Sequence, residues 1–167
     1  VAEDVVYALD QAAGTEVWQQ GGIGTLTGTP VYRNEALYVG SNDGSLYQLD
    51  ASTGEILHSA DLEGAIATSP LASDSMIIAA TTNGTLAALD PQTLDTIWQY
   101  DAGGELATAP AYSAVHDTVV VVAKDLFVHA VDASSGEQKW RIKPTVREYS
   151  TASEETDFTI AEDAWPV

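Results

Sequence analysis

The chain has 167 residues, 45% of them hydrophobic, no cysteine, and a formal net charge of −19 from 25 acidic against six basic side chains. That is enough apolar chain for a packed core, while the lack of thiols excludes disulfides, thiolate metal sites and a cysteine nucleophile from this stretch. The charge argues against a nucleic-acid partner or an anionic membrane surface, since contact with phosphates needs a basic footprint. No apolar run approaches the ~18 residues of a membrane span, so no membrane insertion is expected. The acidity itself fits colloidal solubility or a salty habitat. Val1 follows no charged-then-apolar leader and the only methionine is Met76, which reads as an excised or processed piece.

In chain order, Val5–Leu9 and Thr15–Gln19 read as two strands joined by the turn at Asp10–Gly14. A unit of four short strands follows over 29–60. It opens at Thr29-Pro30-Val31-Tyr32, continues through Ala36–Gly40 and Ser45–Asp50 around the tight turn Asn42-Asp43-Gly44, and closes after Ala51-Ser52-Thr53-Gly54. The plan repeats over 69–100 and 109–142, although the turn at Lys124-Asp125 lacks the glycine. Pro30, Pro70 and Pro110 are placed at the first residue of a strand, where a missing N–H is least costly. No segment carries an uninterrupted 3.6-residue pattern long enough for a helix.

The repeat itself is plain. Asp10, Asp50, Asp90 and Asp132 recur at steps of 40, 40 and 42 residues, each within a stretch such as Ala130-Val131-Asp132-Ala133-Ser134-Ser135-Gly136-Glu137-Gln138-Lys139-Trp140. A fixed period of this size marks a repeat architecture. Val5–Leu9, Leu86–Leu89 and Val119–Val122 are apolar on both faces, which calls for cover on both sides of the sheet. Small four-stranded sheets stacked face to face around an axis provide it, so the expected fold is an all-β propeller of antiparallel four-stranded blades.

The pattern Ala-x-Asp-x-x-Thr-Gly-x-x-x-Trp, preceded by Asp/Asn-Gly-x-Leu-Tyr, resembles the tryptophan-docking repeat of quinoprotein-like (PQQ-type) β-propellers, a family that includes BamB-like scaffolds and quinoprotein alcohol dehydrogenases. The resemblance covers residues 5 to 140. It implies that Asp10, Asp50, Asp90 and Asp132 bond backbone amides of their turns, and that Trp18, Trp98 and Trp140 lie flat against the neighbouring blade. Gly14, Gly54, Gly136, Thr53 and Thr93 complete the motif. The copies depart from it at Ala13, Gln48, His58 and Leu94, which puts the tightness of the affected junctions at issue.

On this reading, residues 1–20 form half a blade, 29–60, 69–100 and 109–142 are full blades, 143–164 are an inserted loop, and 165–167 start the next blade. Either the chain is a slice of a larger ring or its ends share a fourth blade. A slice would leave sheet edges and blade faces open to self-association. The insertion breaks the rhythm: the Trp-to-Pro joins elsewhere span 12 positions and this one spans 26. It carries or adjoins Lys139, Arg141, Lys143 and Arg147 and then Glu154, Glu155 and Asp157, which reads either as a partner-binding loop or as a solvated connection whose charges pair with each other.

No catalytic or cofactor constellation emerges. Gly21-Gly22-Ile23-Gly24 follows a strand but opens no helix, so it reads as a turn between blades and not as a phosphate cradle. His58, His116 and His129 fall at three unrelated places in the repeat, against a shared metal site, and the Asp43 and Asp95 loops lack the dense acids of a Ca²⁺ site. The resemblance implies a non-catalytic scaffold for protein interaction or ligand sensing, with no cofactor and an extracytoplasmic location. The alternative is a set of blades from a PQQ-dependent alcohol dehydrogenase, whose adjacent cysteines, base and Ca²⁺ ligands match no position here.

Overall fold

The structure, a computed structural model, describes residues 4–106 and 108–144. It is all-β. The strands β1 (Val6–Leu9) and β2 (Glu16–Gln20) form a two-stranded sheet. Three four-stranded antiparallel sheets follow. The first holds β3 (Val31–Arg33), β4 (Ala36–Gly40), β5 (Ser45–Asp50) and β6 (Ile56–Asp61). The next holds β7 (Leu71–Ala72), β8 (Ile77–Ala80), β9 (Thr85–Leu89) and β10 (Thr96–Asp101). The last holds β11 (Ala111–Ser113), β12 (Thr118–Val122), β13 (Val128–Asp132) and β14 (Gln138–Ile142). Each is a simple meander in which neighbours in sequence are neighbours in space.

Two local differences from the sequence reading have physical causes. Pro30, Pro70 and Pro110 stand one residue before β3, β7 and β11, outside the ladder, where no N–H is demanded of them. The outer hairpins carry a register shift that the sequence reading did not include, after Ala8, after Gln48, between Thr96 and Trp98, and after Ala130, the same irregularity in all four. Such a bulge turns the outer strand and strengthens its twist.

The doubly apolar strands are covered on both sides. Ile77, Ala79, Ala87 and Leu89 pack with Tyr38 and Leu46 of the preceding sheet and with Ile66 of the connection between the two. Ile78, Ala80, Leu86 and Ala88 pack with Val119, Val121 and Val131 of the following one. A third cluster joins Val6, Trp18 and Ile23 to Val39 and Leu49. At about 2 kcal/mol for each buried large aliphatic chain, these clusters outweigh the exposed ion pairs that also cross the junctions, Arg33–Asp74 and Lys124–Glu105, whose worth is about 0–1 kcal/mol each.

Candidate functional site

Each repeat closes its outer hairpin with the same turn. The Oδ1 of the motif aspartate accepts two backbone amides: Ala12 and Ala13 for Asp10, Ser52 and Thr53 for Asp50, Gln92 and Thr93 for Asp90, Ser134 and Ser135 for Asp132, all at 2.7–3.1 Å. Four residues after the aspartate, the chain enters the left-handed region at Gly14, Leu94, Gly54 and Gly136, with φ of 66°, 59°, 78° and 76°. That residue's amide returns to the aspartate carbonyl at 2.8–2.9 Å. The side-chain acceptor and the permissive glycine together explain the recurring Asp and Gly.

The turns are also the receivers of the tryptophans. Trp18 Nε1 donates to the Ala51 carbonyl at 3.1 Å and Trp98 Nε1 to the Ala133 carbonyl at 2.8 Å. Each ring lies over the turn glycine: a Cβ on Gly54 would sit 2.5 Å from Trp18, and one on Gly136 2.8 Å from Trp98. An indole thus gives a buried apolar face and a satisfied N–H to the next sheet. Trp140 holds the same register position opposite Ala130 and is half-buried.

The junction between the β3–β6 and β7–β10 sheets is built differently. The register row that elsewhere reads Ile78, Ala88, Trp98 reads Tyr38, Gln48, His58 here. Pro91, the counterpart of Ala51 and Ala133, receives the Tyr38 hydroxyl at 2.7 Å and the Gln48 amide at 3.1 Å. Leu94 replaces the glycine and is buried. The departures Gln48, His58 and Leu94 form one substitution set: with no indole to seat, the left-handed turn position has room for a side chain, and a buried leucine fills it. Burial, and the nearby Asp90 carboxylate after it, hold the Tyr38 phenol above its ordinary range. Tyr38 was not among the residues the repeat pattern singled out, because a tyrosine on an apolar strand carries no signal of its own.

The charged candidates of the insertion separate into two groups. Lys139 Nζ bonds the carbonyls of His116 and Asp117 and the Thr118 hydroxyl at 2.8–3.0 Å and pairs with Asp132 at 3.1 Å, which engages all three donors of an ammonium. The Ser134 hydroxyl, then Lys139, then the Ser135 amide hold the Asp132 carboxyl well below the usual range. Arg141 pairs with Asp125 at 3.3 Å and lies 3.9 Å over the Phe127 ring, and Lys143 is 5.3 Å from that ring. Arg147, Glu154, Glu155 and Asp157 lie outside the described residues, as does most of 143–164 and all of 165–167.

The histidines stand apart: His58 exposed on β6, His116 exposed in the turn before β12, His129 buried in β13. Among the described residues no three His, Asp or Glu side chains converge on a metal position, and no helix is long and apolar enough to cross a membrane. A hollow of about 450 Å³ lies beside the Trp18 docking point and is lined by Tyr32, Glu35, Asp50, Ala51 and Ser52.

Repeated four-stranded sheets joined by aspartate turns and docked indoles define blades of a quinoprotein-like β-propeller. The family described as outer membrane protein assembly factor BamB matches residues 2–160, and the chain belongs to that family. No curated protein matches it. Among solved structures, BamB from Moraxella catarrhalis is similar at 26% identity and a TM-score of 0.71, over 84% of this chain and 42% of that one. The quinohemoprotein alcohol dehydrogenase from Comamonas testosteroni aligns at 18% identity and a TM-score of 0.72, over 83% of this chain and 32% of that one. The computationally designed Ika4 protein aligns at 20% and 0.67, over 79% of this chain and 81% of that one. The latter two likenesses concern the fold alone. The chain spans about 42% of the length of the BamB structure it matches.

Proposed function

We propose that this chain is a run of blades from a non-catalytic propeller scaffold that binds a protein partner outside the cytoplasm, in the assembly of outer membrane proteins. The observation that carries the proposal is the family match over residues 2–160. The build of the blades supports it, since the side chains that recur are engaged in turns and sheet docking. Recognition falls to the loops of one face and to sheet edges, where a rigid frame presents variable residues. The 143–164 segment with Arg147, Glu154, Glu155 and Asp157 is the proposed contact loop, set next to Lys143.

The test uses the intact parent protein. Cross-linking in its own cell envelope should recover a protein partner, deletion of 145–160 should reduce that yield, and loss of the parent should lower the levels of outer membrane proteins. Unchanged outer membrane proteins and no cross-linked partner would overturn the reading. Dye reduction on addition of pyrroloquinoline quinone, Ca²⁺ and an electron acceptor would replace it with the dehydrogenase alternative.

A further inference from the structure

We infer that His129 makes the contact between the β7–β10 and β11–β14 sheets an acid-sensitive joint: its buried imidazole is tied to Tyr100 through one nitrogen and has no acceptor for a proton on the other.

His129 is fully buried. Its Nδ1 is 2.9 Å from the Tyr100 hydroxyl, which in turn donates to Gln138 Oε1 at 2.7 Å. An amide oxygen only accepts, so the single phenolic hydrogen goes to Gln138, and the Tyr100 oxygen accepts from His129. With Nε2 left unpartnered, this arrangement fits a neutral ring that carries its proton on Nδ1. The other nitrogen, Nε2, is buried with no hydrogen-bond partner among the described residues.

A second proton would have to sit on that nitrogen. The surroundings oppose it. Burial is the first cause that holds His129 below its ordinary range, the Arg141 guanidinium on β14 is the second, and Asp125 in the β12–β13 turn works against them. Asp125 is itself paired with Arg141. Lys143 lies beyond Phe127 at the end of β14, and Asp101 stands at the end of β10 next to Tyr100. The Tyr100 and Phe127 rings meet the imidazole edge-on at 5.8 and 6.4 Å. Solvating an imidazolium means parting these rings, and Tyr100 belongs to the neighbouring sheet. At the equivalent register positions stand Tyr7, Tyr47 and Ala87, so the other described junctions carry no such group.

The direction follows from linkage. The folded-state value lies below the ordinary 6.5 or so, so the opened chain takes the proton more readily. The contribution to stability is complete above about pH 6.5 and falls as the pH drops from there.

The test is a titration of the His129 ring nitrogens by NMR in the 167-residue chain, with urea unfolding at pH 7.5 and 5.5. The ring should stay neutral with Nδ1 protonated well below pH 6.5. The folded-to-unfolded ratio should fall, approaching about tenfold between the two pH values, and His129→Gln should remove that component while leaving the rest of the profile. Amide exchange at Tyr100 and Phe127 should quicken in acid before exchange in β4 and β5 does. A ring that titrates at or above 6.5, a proton resident on Nε2, or an unchanged pH profile in H129Q would overturn the inference. Should H129Q fail to fold, the ring titration of the unaltered chain decides alone.

Discussion

Trp18 lies so close over Gly54 that a single added Cβ would come within 2.5 Å of its ring. The same relationship joins Trp98 to Gly136 one junction away, at 2.8 Å. Gly14 has the same left-handed backbone but nothing within 4 Å of where its Cβ would be. The three glycines thus separate the demand of the turn from the demand of the indole. Gly14→Ala should cost about 1 kcal/mol, the left-handed penalty alone. Gly54→Ala and Gly136→Ala should each cost about 2–4 kcal/mol, because steric displacement of the ring adds about 1–3. Equal losses at all three sites in urea unfolding would contradict the docking account.

Leu94 and His58 belong to consecutive repeats and occupy the positions that a glycine and an indole hold at the Trp18–Gly54 and Trp98–Gly136 junctions. Leu94→Gly should lose about 1–3 kcal/mol, the cost of the cavity it leaves less about 1 kcal/mol for relief of its left-handed φ of 59°. His58→Trp should lose about 1–3 kcal/mol by overpacking against Leu94. Together they should recover about 1–2 kcal/mol relative to the sum, since the indole then finds a glycine under it. Strict additivity in the double-mutant cycle would show that the two departures are unrelated.

Leu126 holds a φ of 69° in the turn where Gly44 and Gly84 each hold 99°. Its side chain is 61% exposed, so little packing is at stake. Leu126→Gly should stabilise the chain by about 0.5–1 kcal/mol, the relief of the left-handed penalty less the added chain entropy of glycine. A loss of stability in thermal unfolding would mean that Leu126 makes contacts that offset its strain.

Acid should act on the turns as well. The Ser52 hydroxyl, then the Ser52 and Thr53 amides, hold the Asp50 carboxyl below its ordinary range, as the Ser134 hydroxyl, Lys139 and the Ser135 amide do for Asp132. A carboxylate lowered on folding stabilises above its unfolded value of about 3.9 and loses that contribution as the pH falls through the folded value. Asp132→Asn and Asp50→Asn should therefore weaken the chain at pH 7 and flatten the decline in stability below about pH 4. An unaltered acid limb in both variants would place the acid sensitivity elsewhere.

The propeller was legible because its signals repeat. Asp at positions 10, 50, 90 and 132, a glycine four residues on in three of the copies, and strands such as Ile77–Ala80, buried throughout, each state their structural demand locally. The bulges after Ala8, Gln48 and Ala130 were not legible, since a register shift leaves no mark on residue type. Nor was the linkage of Gln48, His58 and Leu94: each stands out singly, but only stacking brings the second repeat's outer strand onto the third repeat's turn. The Tyr100–His129–Gln138 chain was hidden for the same reason, as its members come from two sheets and none breaks the repeat on its own.

Indoles seated on the next blade's turn hold the sheets together, and the exchange of their own N–H protons tests this most directly. With Trp18 and Trp98 bonded to Ala51 and Ala133, both side-chain protons should exchange in step with the buried amides of β5 and β13. Exchange of either at the rate of a solvent-exposed indole, while those strands stay protected, would contradict it.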